Sequence, residues 1–139
     1  MRLEGGCLCG AIRYAVSCVF DAMYCHCSMC RRNGGGPVTA SAHILAEHFR
    51  LLSGEPRRYR ASTTGARCFC GMCGTMLFFE ETDRRYYSVN ISTLDDPTAV
   101  HPAVHMCIES RLPWFEIADD LPRYEGNTLP HPDQRLKKS

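Results

Sequence analysis

Apolar and polar residues alternate along this chain in short bursts, with the two-residue period of strands more often than the longer period of helices. Ala11-Ile12-Arg13-Tyr14-Ala15-Val16 alternates as a half-buried strand does. Stretches at 20–24, 38–44, 49–52, 66–69, 76–79, 86–91 and 104–108 are further strand candidates. Turn formers separate them, among them Asn33-Gly34-Gly35-Gly36-Pro37, Ser53-Gly54-Glu55-Pro56 and Asp95-Asp96-Pro97. Helical signals are few and short, at 28–32, 45–48 and 114–117. The pattern predicts an all-β fold of antiparallel sheets with short helices.

Composition adds limits to this picture. A chain of 139 residues fits one domain, here residues 1–129, with a polar, Pro-rich tail at 130–139 expected to fray. The net charge of +1 provides no field for nucleic acid or an anionic membrane surface. Arg31-Arg32, Arg57-Arg58 and Arg84-Arg85 are balanced by Glu80-Glu81 and Asp119-Asp120, and all are read as solvated surface. No apolar run approaches the length of a membrane span. Glu4 stands where a secretory leader would begin its apolar core, so a cytoplasmic, reducing location is expected. Disulfides do not persist there, and ten cysteines then point to metal.

Spacing supports that reading. Eight cysteines fall into Cys7-x-Cys9, Cys25-x-Cys27-x-x-Cys30 and Cys68-x-Cys70-x-x-Cys73, while Cys18 and Cys107 stand alone. A tetrahedral zinc with bonds of about 2.3 Å needs its sulfurs within about 4 Å of one another, which short loops supply. One-residue gaps strain a disulfide. Gly10 after Cys9 and Gly74 after Cys73 suit the tight turns of metal knuckles. Cys7, Cys9, Cys70 and Cys73 thus make a plausible closed four-thiolate site. Cys25, Cys27 and Cys30 have no fourth paired cluster. They form either an open three-ligand site, as catalytic zinc has, or one completed by Cys18, Cys107, His26 or His105.

Gly6-Cys7-Leu8-Cys9-Gly10-Ala11-Ile12-Arg13-Tyr14, Cys25-His26-Cys27-Ser28-Met29-Cys30-Arg31-Arg32 and Phe69-Cys70-Gly71-Met72-Cys73-Gly74-Thr75 resemble the glutathione-dependent formaldehyde-activating enzyme family. The likeness continues through Leu94-Asp95-Asp96-Pro97, His105, Glu109-Ser110-Arg111-Leu112-Pro113-Trp114 and Asp120-Leu121-Pro122. It implies a single CENP-V/GFA-type domain with an Mss4-like, zinc-stabilised β fold and two zinc ions per chain. In the family's pattern Cys7, Cys9, Cys70 and Cys73 hold a structural zinc, and Cys25, Cys27 and Cys30 hold a catalytic one. It also implies carbon–sulfur lyase chemistry that joins formaldehyde to glutathione. Cys68 is extra to the motif, either a spare buried thiol or a substitute ligand.

Three thiolates leave a zinc site near −1, better suited to holding a soft sulfur ligand than to making hydroxide. The expected small-molecule partner is a thiol or its adduct with a small carbonyl compound. Arg31 and Arg32 are candidates to pair with its carboxylate. His26 lies between two ligands with its side chain expected to point away from them, and His105 is read as structural. Cys18, Cys107 and Trp114 are expected in the core or lining the pocket. The alternative function is a non-catalytic, zinc-stabilised module that binds a protein partner.

Overall fold

The computed structural model describes residues 1–127 and 129, and the expected fraying of 130–139 lies outside the described residues. Ten strands and one short helix follow in the order β1 (Leu3–Gly6), β2 (Arg13–Val16), β3 (Asp21–Cys25), α1 (Ser28–Gly34), β4 (Thr39–Leu45), β5 (Phe49–Ser53), β6 (Arg57–Ser62), β7 (Gly65–Phe69), β8 (Met76–Glu81), β9 (Tyr86–Asn90) and β10 (Val104–Met106). They build a three-stranded sheet, β1-β2-β5, and a seven-stranded sheet, β10-β3-β4-β9-β8-β7-β6. The fold is all-β, as the alternation predicts. The expected all-antiparallel pairing needs one correction, because β10 runs parallel to β3 and sets Met106 beside Cys25.

Two strands lie where no strand is expected. β6 reads Arg-Arg-Tyr-Arg-Ala-Ser and is exposed along its whole length. It sits at the sheet edge, where arginines deter pairing with another chain and no apolar face is needed. β1 carries two glycines and forms through pairing with β2. The expected helix at 45–48 is a single 3-10 turn, Ala46–His48. The expected helix at 114–117 does not form, and Trp114 is 74% exposed rather than in the core. Cys18 is exposed as well, contrary to expectation, while Cys107 is buried.

The two sheets pack through aromatic side chains. Phe49, at the start of β5, stacks on Tyr14 of β2 with ring centres 5.7 Å apart. From the large sheet it meets Phe78 edge-on at 4.9 Å and Tyr87 face-on at 4.2 Å. Ile44, Leu77, Val16 and Val89 fill the space around these rings. Tyr14 is fully buried, so its hydroxyl needs a partner. Thr93 Oγ1 already donates to the Asn90 carbonyl, so the Tyr14 hydroxyl donates to Thr93, at 2.7 Å. Burial pushes the Tyr14 phenol up to about 12, which keeps it a donor at neutral pH.

This contact leaves no room at Gly5, where an added Cβ would come within 2.4 Å of the Tyr14 hydroxyl and 2.5 Å of the Thr93 carbonyl. Tyr14→Phe should therefore lower stability by about 1 kcal/mol. Gly5→Ala should cost about 2 kcal/mol, because backbone must move to admit the methyl. Urea denaturation of the two variants beside the unaltered protein checks the order.

Candidate metal centres

The first cluster is built by two turns that share one design. Between β1 and β2 the Cys7 amide bonds to the Ile12 carbonyl and the Gly10 amide to the Cys7 carbonyl. Between β7 and β8 the Cys70 amide bonds to the Thr75 carbonyl and the Gly74 amide to the Cys70 carbonyl. Gly10 and Gly74 have φ of 82° and 79°, where L side chains are strained, and this explains the glycine after each second cysteine. The fold brings Cys7, Cys9, Cys70 and Cys73 together. Cys7 and Cys9 sulfurs lie 3.6 Å apart, and Cys9 and Cys70 sulfurs 3.8 Å. An S–S bond would be about 2.05 Å. A tetrahedron of thiolates around an ion with bonds of about 2.3 Å has edges of about 3.8 Å. The donor set therefore fits a single soft cation.

Backbone amides already address these sulfurs. Ile12 N–H donates to Cys7 at 3.3 Å, and Met72 and Cys73 N–H donate to Cys70 at 3.4 and 3.5 Å. The Thr75 hydroxyl and nearby amides hold the Cys73 thiol down at about 5. Cys73 is thus held as thiolate before any cation arrives, whereas Cys9, against the Ala11 amide that lowers it, is pushed up to about 11 by Cys7.

The second cluster is Cys25, Cys27 and Cys30. Cys25 ends β3, Cys27 caps α1 and Cys30 lies in the first turn of that helix, whose amide bonds to the Cys27 sulfur at 3.3 Å. This cap explains the helix start at Ser28: the thiol does what a serine or aspartate oxygen does elsewhere. Hydrogen bonds from the Cys25 and Cys30 thiols, with the Cys30 amide and the Arg67 charge, hold Cys27 far below an ordinary thiol. The same interaction pushes Cys25 well up. Among protein groups alone Cys27 is thus favoured as thiolate and Cys25 as thiol, an arrangement that a cation would even out. Three sulfurs within 4.8 Å of one another fit a metal ion as a three-thiolate set.

Behind this cluster runs a buried polar chain. His26 Nε2 and His105 Nδ1 are 2.9 Å apart, and His105 Nε2 lies 2.9 Å from the Asp119 carboxylate. Against the burial that opposes it, the His105 bond, the Leu121 amide and Arg123 hold the Asp119 carboxyl below its usual value. An ionised Asp119 only accepts, so His105 Nε2 carries hydrogen, and in a neutral imidazole its Nδ1 is then a bare acceptor. His26 Nε2 therefore donates, and its buried Nδ1 is left without a hydrogen-bond partner. Burial, then the positive groups around it, keeps His26 below the ordinary histidine value and hence neutral. The contact with His105 turns the His26 ring away from the flanking cysteines, as the sequence predicts, and His105 is buried with both ring nitrogens engaged, as expected of a structural histidine.

Other expected residues find definite places. One Arg31 guanidinium nitrogen donates to the carbonyls of both His26 and Ser110, clamping the cysteine loop to the segment after β10. Arg32, on the same helix, is exposed. Cys68 is fully buried among core side chains and stands in neither cluster, so it is the spare thiol of the two readings. Cys107 is buried beside Cys25 without joining its cluster, and its burial pushes the thiol up to about 11. Glu80, read as solvated surface, is buried and paired with Arg58 at 3.3 Å. Asp119, read the same way, anchors the histidine chain. Arg67 reaches the Cys30 sulfur with both terminal nitrogens at 3.8 Å, a contact across 37 positions of chain that no local motif signals.

Metal analysis of the purified protein should find two ions per chain. Cys73→Ser should lose one ion and lower the melting temperature steeply, because it loosens the junction of the two sheets. Cys27→Ser should lose the other ion at a smaller cost in melting temperature. His105→Ala should leave His26 Nε2 buried without an acceptor and cost about 1–3 kcal/mol in urea denaturation.

Comparison with known proteins agrees with these motifs. The family model for glutathione-dependent formaldehyde-activating enzyme matches residues 2–110. A Halomonas elongata protein provisionally named a glutathione-dependent formaldehyde-activating enzyme is 30% identical over 130 residues, covering 84% of this chain and 82% of that protein. The crystal structure of a Rhodobacter sphaeroides protein superposes with a TM-score of 0.57 at 28% identity, covering 71% of this chain and 91% of that one. With its cysteine motifs in family order and most of its length matched, the chain belongs to the glutathione-dependent formaldehyde-activating enzyme family.

Proposed function

We propose that this protein is a zinc-dependent carbon–sulfur lyase-like enzyme that makes or breaks the bond between a thiol, such as glutathione, and a small carbonyl compound. The observation that carries the reading is the contrast between its two clusters. Cys7, Cys9, Cys70 and Cys73 form a complete four-thiol set at the meeting of two sheets. Cys25, Cys27 and Cys30 form a set of three, with two of its members half-exposed. In this reading the first holds a structural zinc and the second a catalytic zinc with one position for substrate. Among the described residues no helix is long and apolar enough to cross a membrane. Ten unpaired cysteines suit the cytoplasm, where glutathione is reduced.

A zinc ion held by three thiolates would supply a position that keeps a fourth, soft sulfur ionised at neutral pH. The chain's own residues do the rest. The Cys27 cap, a bond from the Cys30 amide, fixes the Cys27 sulfur at the start of α1, and Arg67 contacts the Cys30 sulfur. The Arg31 clamp and the His26–His105–Asp119 chain keep the loop from shifting as a ligand enters or leaves. In this reading Arg32, exposed on the same helix, pairs with a carboxylate of the thiol substrate. In the forward direction the substrate sulfur attacks the carbonyl carbon. One C–S bond forms, the C=O double bond becomes single, and the proton lost by the thiol ends on that oxygen. No electron acceptor is required.

The family match supports this chemistry, and the relative's printed name supports glutathione as the thiol. The test is exchange NMR of formaldehyde with glutathione in the presence of the zinc-loaded protein. Broadening or magnetisation transfer above the uncatalysed level is expected, and Cys27→Ser should abolish it. A rate equal to the uncatalysed one with fully loaded protein would exclude this substrate pair. Four protein ligands at both zinc ions by X-ray absorption would instead favour a non-catalytic binding module.

A further inference from the structure

We infer that Arg67 is the residue that makes the three-cysteine site selective for an anionic fourth ligand, a thiolate in preference to a neutral oxygen or nitrogen donor. The inference rests on the reading of Cys25, Cys27 and Cys30 as a metal site with an exchangeable position, and it adds the group that decides what enters.

Arg67 lies in the middle of β7, opposite Phe79 of β8. Its guanidinium carbon stands 5.9 Å from the centre of the Phe79 ring, which holds the planar group from one side. Both terminal nitrogens reach the Cys30 sulfur at 3.8 Å. Among the described residues the ion pairs engage Arg2, Arg13, Arg58, Arg85 and Arg123, and Arg67 is in none of them. Arg31 is occupied by two backbone carbonyls and Arg32 is exposed. Among the described residues Arg67 is the arginine in hydrogen-bond contact with a sulfur of the cluster, brought there by the sheet and held by an aromatic face and a thiol.

Charge counting shows what such a cation does. Three thiolates and a divalent ion sum to −1, so a thiolate arriving as the fourth ligand raises the local charge to −2. Repulsion of that size in a half-buried site favours neutral donors such as water. With the guanidinium against Cys30 the sums become zero before binding and −1 after it. The offset acts on an anionic ligand and leaves a neutral one nearly unaffected. Lysine in this place would keep the charge but lose the planar fork and its stacking on Phe79.

The test uses the full chain loaded with cobalt(II), whose thiolate charge-transfer band in the near ultraviolet reports sulfur ligands directly. 2-Mercaptoethanol is the anionic probe, since it carries no carboxylate to involve Arg32, and imidazole is the neutral one. The unaltered protein should gain intensity with 2-mercaptoethanol. Arg67→Met should bind it about tenfold or more weakly, with imidazole affinity changed by less than about twofold. Added salt should narrow the gap in thiol affinity, by relieving the repulsion of thiolate in Arg67→Met while changing the unaltered protein little. Arg67→Lys should fall between the two, and it carries the comparison if the methionine variant does not load metal. Equal thiol affinity in all three proteins, or a parallel loss for thiol and imidazole, would overturn the role given to Arg67 while leaving the exchangeable site intact. If the unaltered protein shows no thiol-dependent band, the exchangeable position itself is disproved and this inference with it.

Discussion

Everything else in this structure hangs on the convergence of two turns from different sheets. Cys7 and Cys9 come from the small sheet and Cys70 and Cys73 from the large one, and their sulfurs meet at tetrahedral spacing. The Leu8 amide adds a bond to the Thr75 hydroxyl across the same junction. With these tips fixed, β2 and β5 lie against β8 and β9, and Phe49 fills the gap between them. Separate hydrophobic faces of this size would pack with some freedom of angle. Four sulfurs directed at one point remove that freedom, so the junction sets the geometry within which the aromatic core then packs.

The second cluster sits away from that junction and is supported differently. It is one continuous loop, from the end of β3 into α1, and its rigidity comes from outside. Parallel pairing of β10 with β3 brings Met106 beside Cys25, and the His26 amide bonds to the Met106 carbonyl at 3.2 Å. The histidine chain ends on Asp119 and the Arg31 clamp on Ser110, both beyond β10. The segment that follows the last strand therefore acts as a brace for the loop, although it has little regular structure of its own. Buried histidines joined nitrogen to nitrogen hold their order only while each has its assigned tautomer, which is why an ionised carboxylate must stand at the end.

The two clusters also divide the electrostatic work. The four-thiol set is addressed by backbone amides and by the Thr75 hydroxyl, all from its own two turns. The three-thiol set has one such amide, from Cys30 to the Cys27 sulfur, and adds a side-chain cation, Arg67, from a strand far away in the chain. A closed site needs only to be held, and amide dipoles suffice for that. On the proposed function the three-thiol site exchanges a charged ligand, and Arg67 is the ionised side chain that adjusts its net charge.

Much of this was legible in the sequence. Cysteine spacing with glycine after the second thiol identified both knuckles, since the turn and its positive φ are local. The alternation of residues 11–16 identified β2, because burial of one face is written in period two. Local pattern could not show β6, an exposed edge strand with no apolar face, nor the direction of β10, which depends on the strand it joins. It placed Trp114 and Cys18 inside, because apolar character alone does not say whether a residue finds a neighbour. It read Glu80 and Asp119 as surface, because a charged residue looks the same whether solvated or paired with a buried partner. The sequence by itself determined the all-β class and the two sets of thiols, for these rest on contacts between near neighbours. Only the tertiary structure decided that Asp119 anchors His26 through His105 and that Arg67 faces Cys30, because charges and hydrogen bonds between distant segments exist only once the sheets have brought them together.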